Sequence, residues 1–440
     1  MTTDRPILTA KQYAWITAGF VAFVIYGSLV PLTFQWVPWE KAWEKYVRVF
    51  SRPVAVEQRA DWLANILLFI PLGFVAMGSR CVDRPGRVLG PILTILPSCT
   101  LLSAAVEFTQ IWFPPRDTSL NDVVAETLGG VIGIGIWLAA GQRITDYVRQ
   151  FWSKNATRSW SLQLIPGYLV LLVFIHGMPF DLTLSPSHLK KKYRDGMVLP
   201  IPFTVLGDEP LDLVKKAIIN ATWFLPAGLL IAGLPGWIAR GRGAVWRVLG
   251  MGIVLAGTIE TMQLFVLSRY CDTTDIITGS LAVLVGWSVM RAWHGSTTAS
   301  HAELPFRLRV ALFIAWVAAL LFVNWEPFDF SFESGFLEQR WSDLSLVPFA
   351  DYYAGNYLTS FNEIIQKTLL FVPFGLLLSW NRSASIVVAA AMLFAVLLEA
   401  GQFFLRHHHP GISDLLIEPF GAWLGYMAGC RLRALTSGVA

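Results

Sequence analysis

The feature that most limits how this chain can fold is the recurrence of apolar runs close to the length that a bilayer demands. Runs such as YAWITAGFVAFVIYGSLV (13–30) and LAVLVGWSVMRAW (281–293) approach the ~20 residues a helix needs to cross the hydrocarbon core. Such runs lie at roughly 13–34, 62–79, 88–113, 121–140, 163–182, 213–233, 245–267, 275–293, 307–326, 362–380, 384–405 and 414–431. In hydrocarbon a backbone must satisfy its own polar groups, which a helix does. Composition agrees: 55% of residues are hydrophobic and 15% charged, with mean hydropathy +0.53, where a soluble domain carries about a quarter charged residues. An all-α polytopic transmembrane bundle of about 12 helices is expected. The first run follows Arg5 and Lys11 as a signal peptide would, but it lacks a small-x-small cleavage site and is expected to be retained.

One polar motif interrupts these runs three times. VEFTQ (106–110) returns as IETMQ (259–263) and LEAGQ (398–402). Around it, NILLFIPLGF (65–74) aligns with NATWFLPAGL (220–229) and KTLLFVPFGL (367–376), superposing Phe69, Phe224 and Phe371, then Pro71, Pro226 and Pro373, then Gly73, Gly228 and Gly375. Glu107, Glu260 and Glu399 are each followed by Gln110, Gln263 or Gln402, then by Asp122, Asp275 or Asp414, then by Gly133, Gly286 or Gly425, at identical spacing. Upstream, VPLTF (30–34), MPFDL (178–182) and EPFDF (326–330) mark the end of each first helix. The spacing predicts three tandem units, 1–150, 151–300 and 301–440, of four helices each. An even helix number makes them parallel repeats, unlike the inverted repeats of many transporters.

Charge supplies an orientation. With the N-terminus inside, the short loops on that side hold eighteen Lys and Arg, while Asp4, Asp83, Asp146 and Glu303 are the only acidic residues there, of 30 in the chain. The positive-inside rule then favours N-in and C-in, and every Glu-Gln-Asp set falls on the extracytoplasmic side. KKKYR (190–194) is expected in a long outer loop, where that rule does not count. Cys81, Cys99, Cys271 and Cys430 show no disulfide or metal spacing.

The pattern N-x3-F-x-P-x-G, then E-x2-Q, then R and D, then D with glycines after it, resembles the VanZ-like family, named for a membrane protein associated with resistance to the glycopeptide teicoplanin. Members typically carry one such unit, and the resemblance covers almost the whole chain as three. It implies a multi-pass protein of the bacterial plasma (inner) membrane with a cell-envelope role, and it implies no particular reaction or cofactor. The first copy is the most complete, with Asn65, Phe69, Pro71, Gly73, Glu107, Gln110, Arg116 and Asp122; the second keeps Asn220, Glu260, Gln263, Arg269 and Asp275. The third departs, with Lys367 at the Asn position, Arg406 two residues early and His408 at the Arg position.

Glu107 and Gln110, three residues apart, share a helix face. Measured from PP (114–115), Glu107 is expected roughly 9 Å inside the helix end, a depth at which a carboxylate is disfavoured. Asp122 is expected to cap the next helix, with Glu126, Gly129 and Gly133 on its face as a stripe that lets another helix approach. Two readings of the set stay open. In one, Arg116 neutralises the carboxylates and clamps two helix ends together. In the other, the set is a polar pocket under the outer surface, with Arg116 or Arg269 offered to phosphate or carboxylate and Glu serving as general acid or base.

F-x-P-x-G, expected at the start of the second helix, reads as a kink with close packing, and Asn65 and Asn220 as links to a neighbouring helix. Three adjacent histidines, His407, His408 and His409, cannot readily face one ion, so no metal is expected. WEKAWEKYVRVF (39–50) sets Trp39, Trp43, Tyr46, Val47 and Phe50 on one face, an interfacial helix. Gly-rich phosphate loops and nucleophile elbows are missing. The expected partners are the lipid bilayer and a lipid-linked or cell-wall glycan component at the outer face, with no nucleic acid. A transporter using intramembrane Glu residues and a non-catalytic scaffold for envelope biosynthesis remain alternatives.

Overall fold

A computed structural model describes residues 7–51, 59–84, 86–152, 160–204, 210–234, 241–295, 306–352, 357–380, 382–408 and 411–437. Among them, ten helices are long and apolar enough to cross a membrane, and Ser161–Gly177 is a shorter apolar helix. The protein is a helical, multi-pass membrane protein. The expected span at 414–431 lies in a helix, Asp414–Ser437, that carries Asp414, Glu418, Arg431 and Arg433.

The chain divides into two compact units, Met1–Thr157 with Phe349–Leu358, and Arg158–Pro348 with Thr359–Ala440. In the first, α1 (Ala10–Leu29) leads to a short amphipathic α2 (Trp39–Phe50), then α3 (Arg59–Cys81), α4 (Leu89–Gln110) and α5 (Leu120–Ile136). A π-helical turn, Trp137–Gly141, joins α5 to α6 (Gln142–Trp152). Phe69, Leu72 and Met77 of α3 form the core with Cys99 of α4, Ile134 of α5, Trp137 and Tyr13. The Tyr13 hydroxyl meets that of Thr145 at 2.8 Å.

The second unit repeats the order twice. It contains α7 (Trp160–Gly177), α8 (Pro186–Arg194), α9 (Pro210–Ala232), α10 (Ala244–Leu264) and α11 (Thr273–Gly295), then α12 (Phe306–Trp325), α13 (Ser334–Asp343), α14 (Tyr357–Leu378), α15 (Ala384–Gln402) and α16 (Asp414–Ser437). A two-residue parallel pair joins β1 (Val198–Leu199) to β2 (Cys271–Asp272). Leu320, Phe371, Phe374, Leu398 and Ala422 form a core in which Phe394 stacks on Phe374 at 5.5 Å.

Proline fixes where the first helix of each copy stops, because the residue before proline is pushed out of the α region. Thus α1, α7 and α12 end at Leu29, Gly177 and Trp325, just short of Pro31, Pro179 and Pro327, so the first run is shorter than 13–34. The residue after each proline takes the left-handed conformation that bulky side chains avoid: Leu32, Phe180 and Phe328 have φ of 63°, 61° and 63°. The chain then runs extended against the exit of the third helix. There the N–H groups of Gln35, Thr183 and Ser331 donate to the carbonyls of Trp112, Phe265 and Phe404 at 2.8, 2.9 and 2.7 Å.

The F-x-P-x-G segment does not open the second helix as expected. Pro71, Pro226 and Pro373 lie inside α3, α9 and α14, because a polar first stretch that hydropathy does not register extends each helix backwards. KKKYR lies in the connection between α7 and α9, which is helical there. It is the second half of α8, and Lys192 is buried.

The second and fourth helices of each copy meet backbone to backbone. A methyl group on Gly133, Gly286 or Gly425 would lie 2.1, 2.2 or 2.0 Å from the carbonyl oxygen of Ile70, Leu225 or Val372. No flexible side chain can move aside there. Gly425→Ala is therefore expected to destabilise the detergent-solubilised protein by about 2 kcal/mol, while Gly167→Ala, which meets nothing within 4 Å, is expected to stay within about 0.5 kcal/mol of wild type. Thermal unfolding checks this, and equal effects would refute the packing argument.

Candidate functional site

The polar set sits where the third helix passes to the fourth. Since α4 ends at Gln110, Glu107 lies only three residues from the helix end, about 4.5 Å rather than 9 Å. It is nonetheless 2% exposed, and Glu260 and Glu399 are 5% and 9% exposed. A buried carboxylate needs donors, and each Glu finds one twelve residues on. Its Oε2 accepts from the N–H of Ser119 at 2.6 Å, of Asp272 at 2.8 Å or of Gly411 at 2.7 Å. In the first two copies a second link closes the same hairpin: the Thr118 hydroxyl and the Cys271 thiol donate to the Glu107 and Glu260 carbonyls.

Gln and Arg point the other way, to the end of the first helix. Gln110 Nε2 donates to the Ser28 carbonyl at 3.1 Å, and Gln402 Nε2 to the carbonyl and side-chain oxygens of Asn324, both at 3.3 Å. Gln263 is buried at the corresponding position. Arg116 Nε donates to the Val30 carbonyl at 2.7 Å and its Nη2 to Gly27 at 2.8 Å. Arg269 does the same to Met178 at 2.8 Å and Ile175 at 3.3 Å. These guanidiniums hold carbonyls left open where a helix terminates, a role that the sequence did not single out for Arg116. Its charge also favours the ionised forms of Glu107 and Asp122, the neutralising role expected of it.

His408 confirms the alignment chemically. Its Nε2 lies 2.6 Å from the Glu326 carbonyl, the counterpart of Val30 and Met178. Burial first, and the nearby Lys215 charge, hold its pKa below the ordinary histidine value, so a neutral ring donating from Nε2 replaces the guanidinium. His407 pairs with Asp329, and His409 lies outside the described residues.

Asp122 does not cap α5 as expected. The cap is Ser119, whose hydroxyl accepts from the Asn121 N–H. Asp122 instead has the Asn65 amide beside it. The counterpart Asn220 donates to the Asp275 carbonyl at 2.9 Å and the Thr278 hydroxyl at 2.6 Å, and Lys367 Nζ donates to Asp414 Oδ2 at 2.8 Å. The expected link between helices is therefore made by Asn220 in the second copy, and Lys367 makes one at the same position of the third.

Several site residues escaped sequence reasoning. Glu418 stands four residues after Asp414, as Glu126 does after Asp122, while the second copy has Gly279. Glu126 and Glu418 are 3% and 1% exposed, and one Oε2 of each has no hydrogen-bond partner. In the second copy Lys216 Nζ reaches Asp272 at 2.5 Å and Asp275 at 3.3 Å. Lys192 Nζ donates to the carbonyls of Gln263 and Val266 at 2.7 and 2.5 Å. Arg340 donates to Leu405 and Arg406 at 2.8 and 2.9 Å, so both short-helix cations cover the exit of a third helix. On α2, Trp39, Trp43 and Tyr46 all pack on Phe108 of α4. The aromatic face of this helix is thus partly docked on protein.

Asp272 sets a pH dependence. Burial by itself raises its carboxyl, but hydrogen bonds from Lys216 and Thr274 outweigh that and hold it below the usual carboxylate value. A carboxyl so depressed contributes stability that is fully present above its unfolded value, about pH 4, and is lost as pH falls through the folded value. Lys216→Met is expected to cost about 1–3 kcal/mol at neutral pH. The difference from wild type should shrink below about pH 4 in thermal unfolding between pH 7 and pH 3, and a constant difference would refute the assignment.

The comparison with family models finds VanZ/LLP1 three times, over residues 8–141, 153–294 and 310–433. Curated proteins and solved structures return no match. Each matched stretch contains one Glu, Gln and Asp set with its pinned first helix. The chain belongs to the VanZ/LLP1 family and carries its unit three times in tandem.

Proposed function

We propose that this protein acts in the bacterial cell envelope, recognising or modifying a lipid-linked or cell-wall glycan component at the outer face of the plasma membrane. The reading takes each copy as four membrane-crossing helices in the same orientation, about 12 in all, with the termini inside on the charge asymmetry of the loops. Unit boundaries near 150 and 300 follow from the spacing of the motif.

One observation supports a ligand-facing role over a purely structural one. In all three copies, carboxylate oxygens remain buried without a donor after the hairpin and helix-end contacts are made: Glu126 Oε2, Asp275 Oδ1, Glu399 Oε1 and Glu418 Oε2. Buried polar atoms are ordinarily hydrogen-bonded, so such groups mark sites with work beyond folding. Sugar hydroxyls and cationic headgroups are the chemistry that such oxygens accept.

The scaffold reading draws support from the other half of the site. Arg116, Arg269 and His408 hold the backbone of their own copy. The two readings separate on mutation. Glu126→Gln combined with Glu418→Gln removes charge without touching the hairpin or helix-end contacts. In a strain lacking the wild-type gene, this variant, present in the membrane at wild-type level, is expected to lose envelope function, read as susceptibility to glycopeptide antibiotics and as lipid-linked intermediates by mass spectrometry. Full complementation by the variant would sink the ligand-facing reading and leave the scaffold.

A further inference from the structure

We propose that Glu399, Asp414 and Glu418 of the third copy form a binding site for a divalent cation of the hard, oxygen-preferring class, Ca²⁺ or Mn²⁺. One carboxylate oxygen from each residue lies within 4.8 Å of the other two. Two oxygens on opposite sides of a cation bound at 2.3–2.6 Å are separated by about 4.6–5.2 Å, so the three oxygens can close on one ion with little movement. The donors are carboxylates alone, which favours this class over metals that select thiolate or imidazole.

Proximity of acids is not the whole case. Glu418 is 1% exposed, and its Oε2 finds no donor in the protein; Glu399 Oε1 is in the same position. The other Glu399 oxygen is already committed to the Gly411 N–H, which fixes the carboxylate in place. Lys367 Nζ sits on Asp414 Oδ2 at 2.8 Å. With all three ionised, the carboxylates and the Lys367 ammonium, which also lies 3.4 Å from Glu363, would hold a double negative charge among the four of them, which one divalent cation balances.

The second copy supplies an internal comparison. It has Gly279 where the third has Glu418, and the Lys216 ammonium lies against both Asp272 and Asp275. With no carboxylate at that position, the described residues of the second copy bring no three carboxylate oxygens as close together, and Lys216 bridges its two aspartates instead. The proposal stands apart from the envelope reading, since metal binding is measured on purified protein whatever the cellular role.

Purified full-length protein in detergent, stripped with chelator, would be titrated with Mn²⁺ while the free-ion signal is followed by electron paramagnetic resonance. The wild type is expected to bind an Mn²⁺ that Ca²⁺ displaces, and Glu418→Gln to weaken that binding at least tenfold while eluting as the same monodisperse species. Should Glu418→Gln fail to fold, Asp414→Asn is read by the same titration. Mn²⁺ is also expected to raise the unfolding temperature of the wild type, since an ion that binds only the folded state stabilises it. Identical titrations for wild type and folded variant, or an unfolding temperature indifferent to Mn²⁺ and chelator, would overturn the proposal and leave protons to neutralise the cluster.

Discussion

The contact on which each copy depends is the hydrogen bond from a backbone N–H to a buried glutamate twelve residues earlier. A carboxylate in a largely apolar setting tolerates few alternatives to such a donor. By accepting from Ser119, Asp272 or Gly411, the glutamate fixes the turn between the third and fourth helices. That turn determines where the fourth helix begins, and so which of its residues face the second. The close approach at Gly133, Gly286 and Gly425 follows, because a helix displaced along its axis would bring a side chain onto the opposing carbonyl.

A second constraint acts at the first helix. Proline stops it early and leaves carbonyls open within a crowded polar region, where they need donors as much as the glutamate does. Arg116, Arg269 and His408 supply these from the far side of the hairpin. Gln110 and Gln402 add a contact from the third helix itself. The four-residue register of Glu, Gln and the later Arg is thus one mechanical unit. Glu closes the hairpin on itself, while Gln and Arg attach it to the first helix.

Repetition was legible in the sequence because it is a matter of spacing, and spacing survives whatever the side chains contact. The Asn-to-helix link was legible for the same reason. Helix limits were less so: hydropathy overran Leu29, where proline rather than polarity ends the helix, and missed the polar opening of α3. Partners were the least legible. Nothing local marks Arg116 as reaching Val30, eighty-six residues away, and its nearest chemical complement in sequence was an acid, not a carbonyl. Lys192 read as surface charge because it stands in a run of basic residues; only the fold brings the exit of α10 over it. Glu418 was visible as the counterpart of Glu126 at the same offset from Asp, a signal that full alignment of the fourth helix would have caught.

What differs between copies says more about function than what repeats. The hairpin bond and the helix-end donor recur in all three, even through the change from arginine to histidine, so they serve the architecture. The charges around the Asp do not recur. The first copy places an amide, Asn65, beside Asp122; the second brings Lys216 between Asp272 and Asp275 and has Gly279 where the others have Glu126 and Glu418; the third keeps that Glu and adds Lys367. An electrostatic setting serving only to hold helices together would need the same balance in each copy, since the helices it holds are equivalent. Three different balances on one backbone give three polar clusters with different preferences for a cation, a proton or a hydroxyl, a difference that holding helices together does not require.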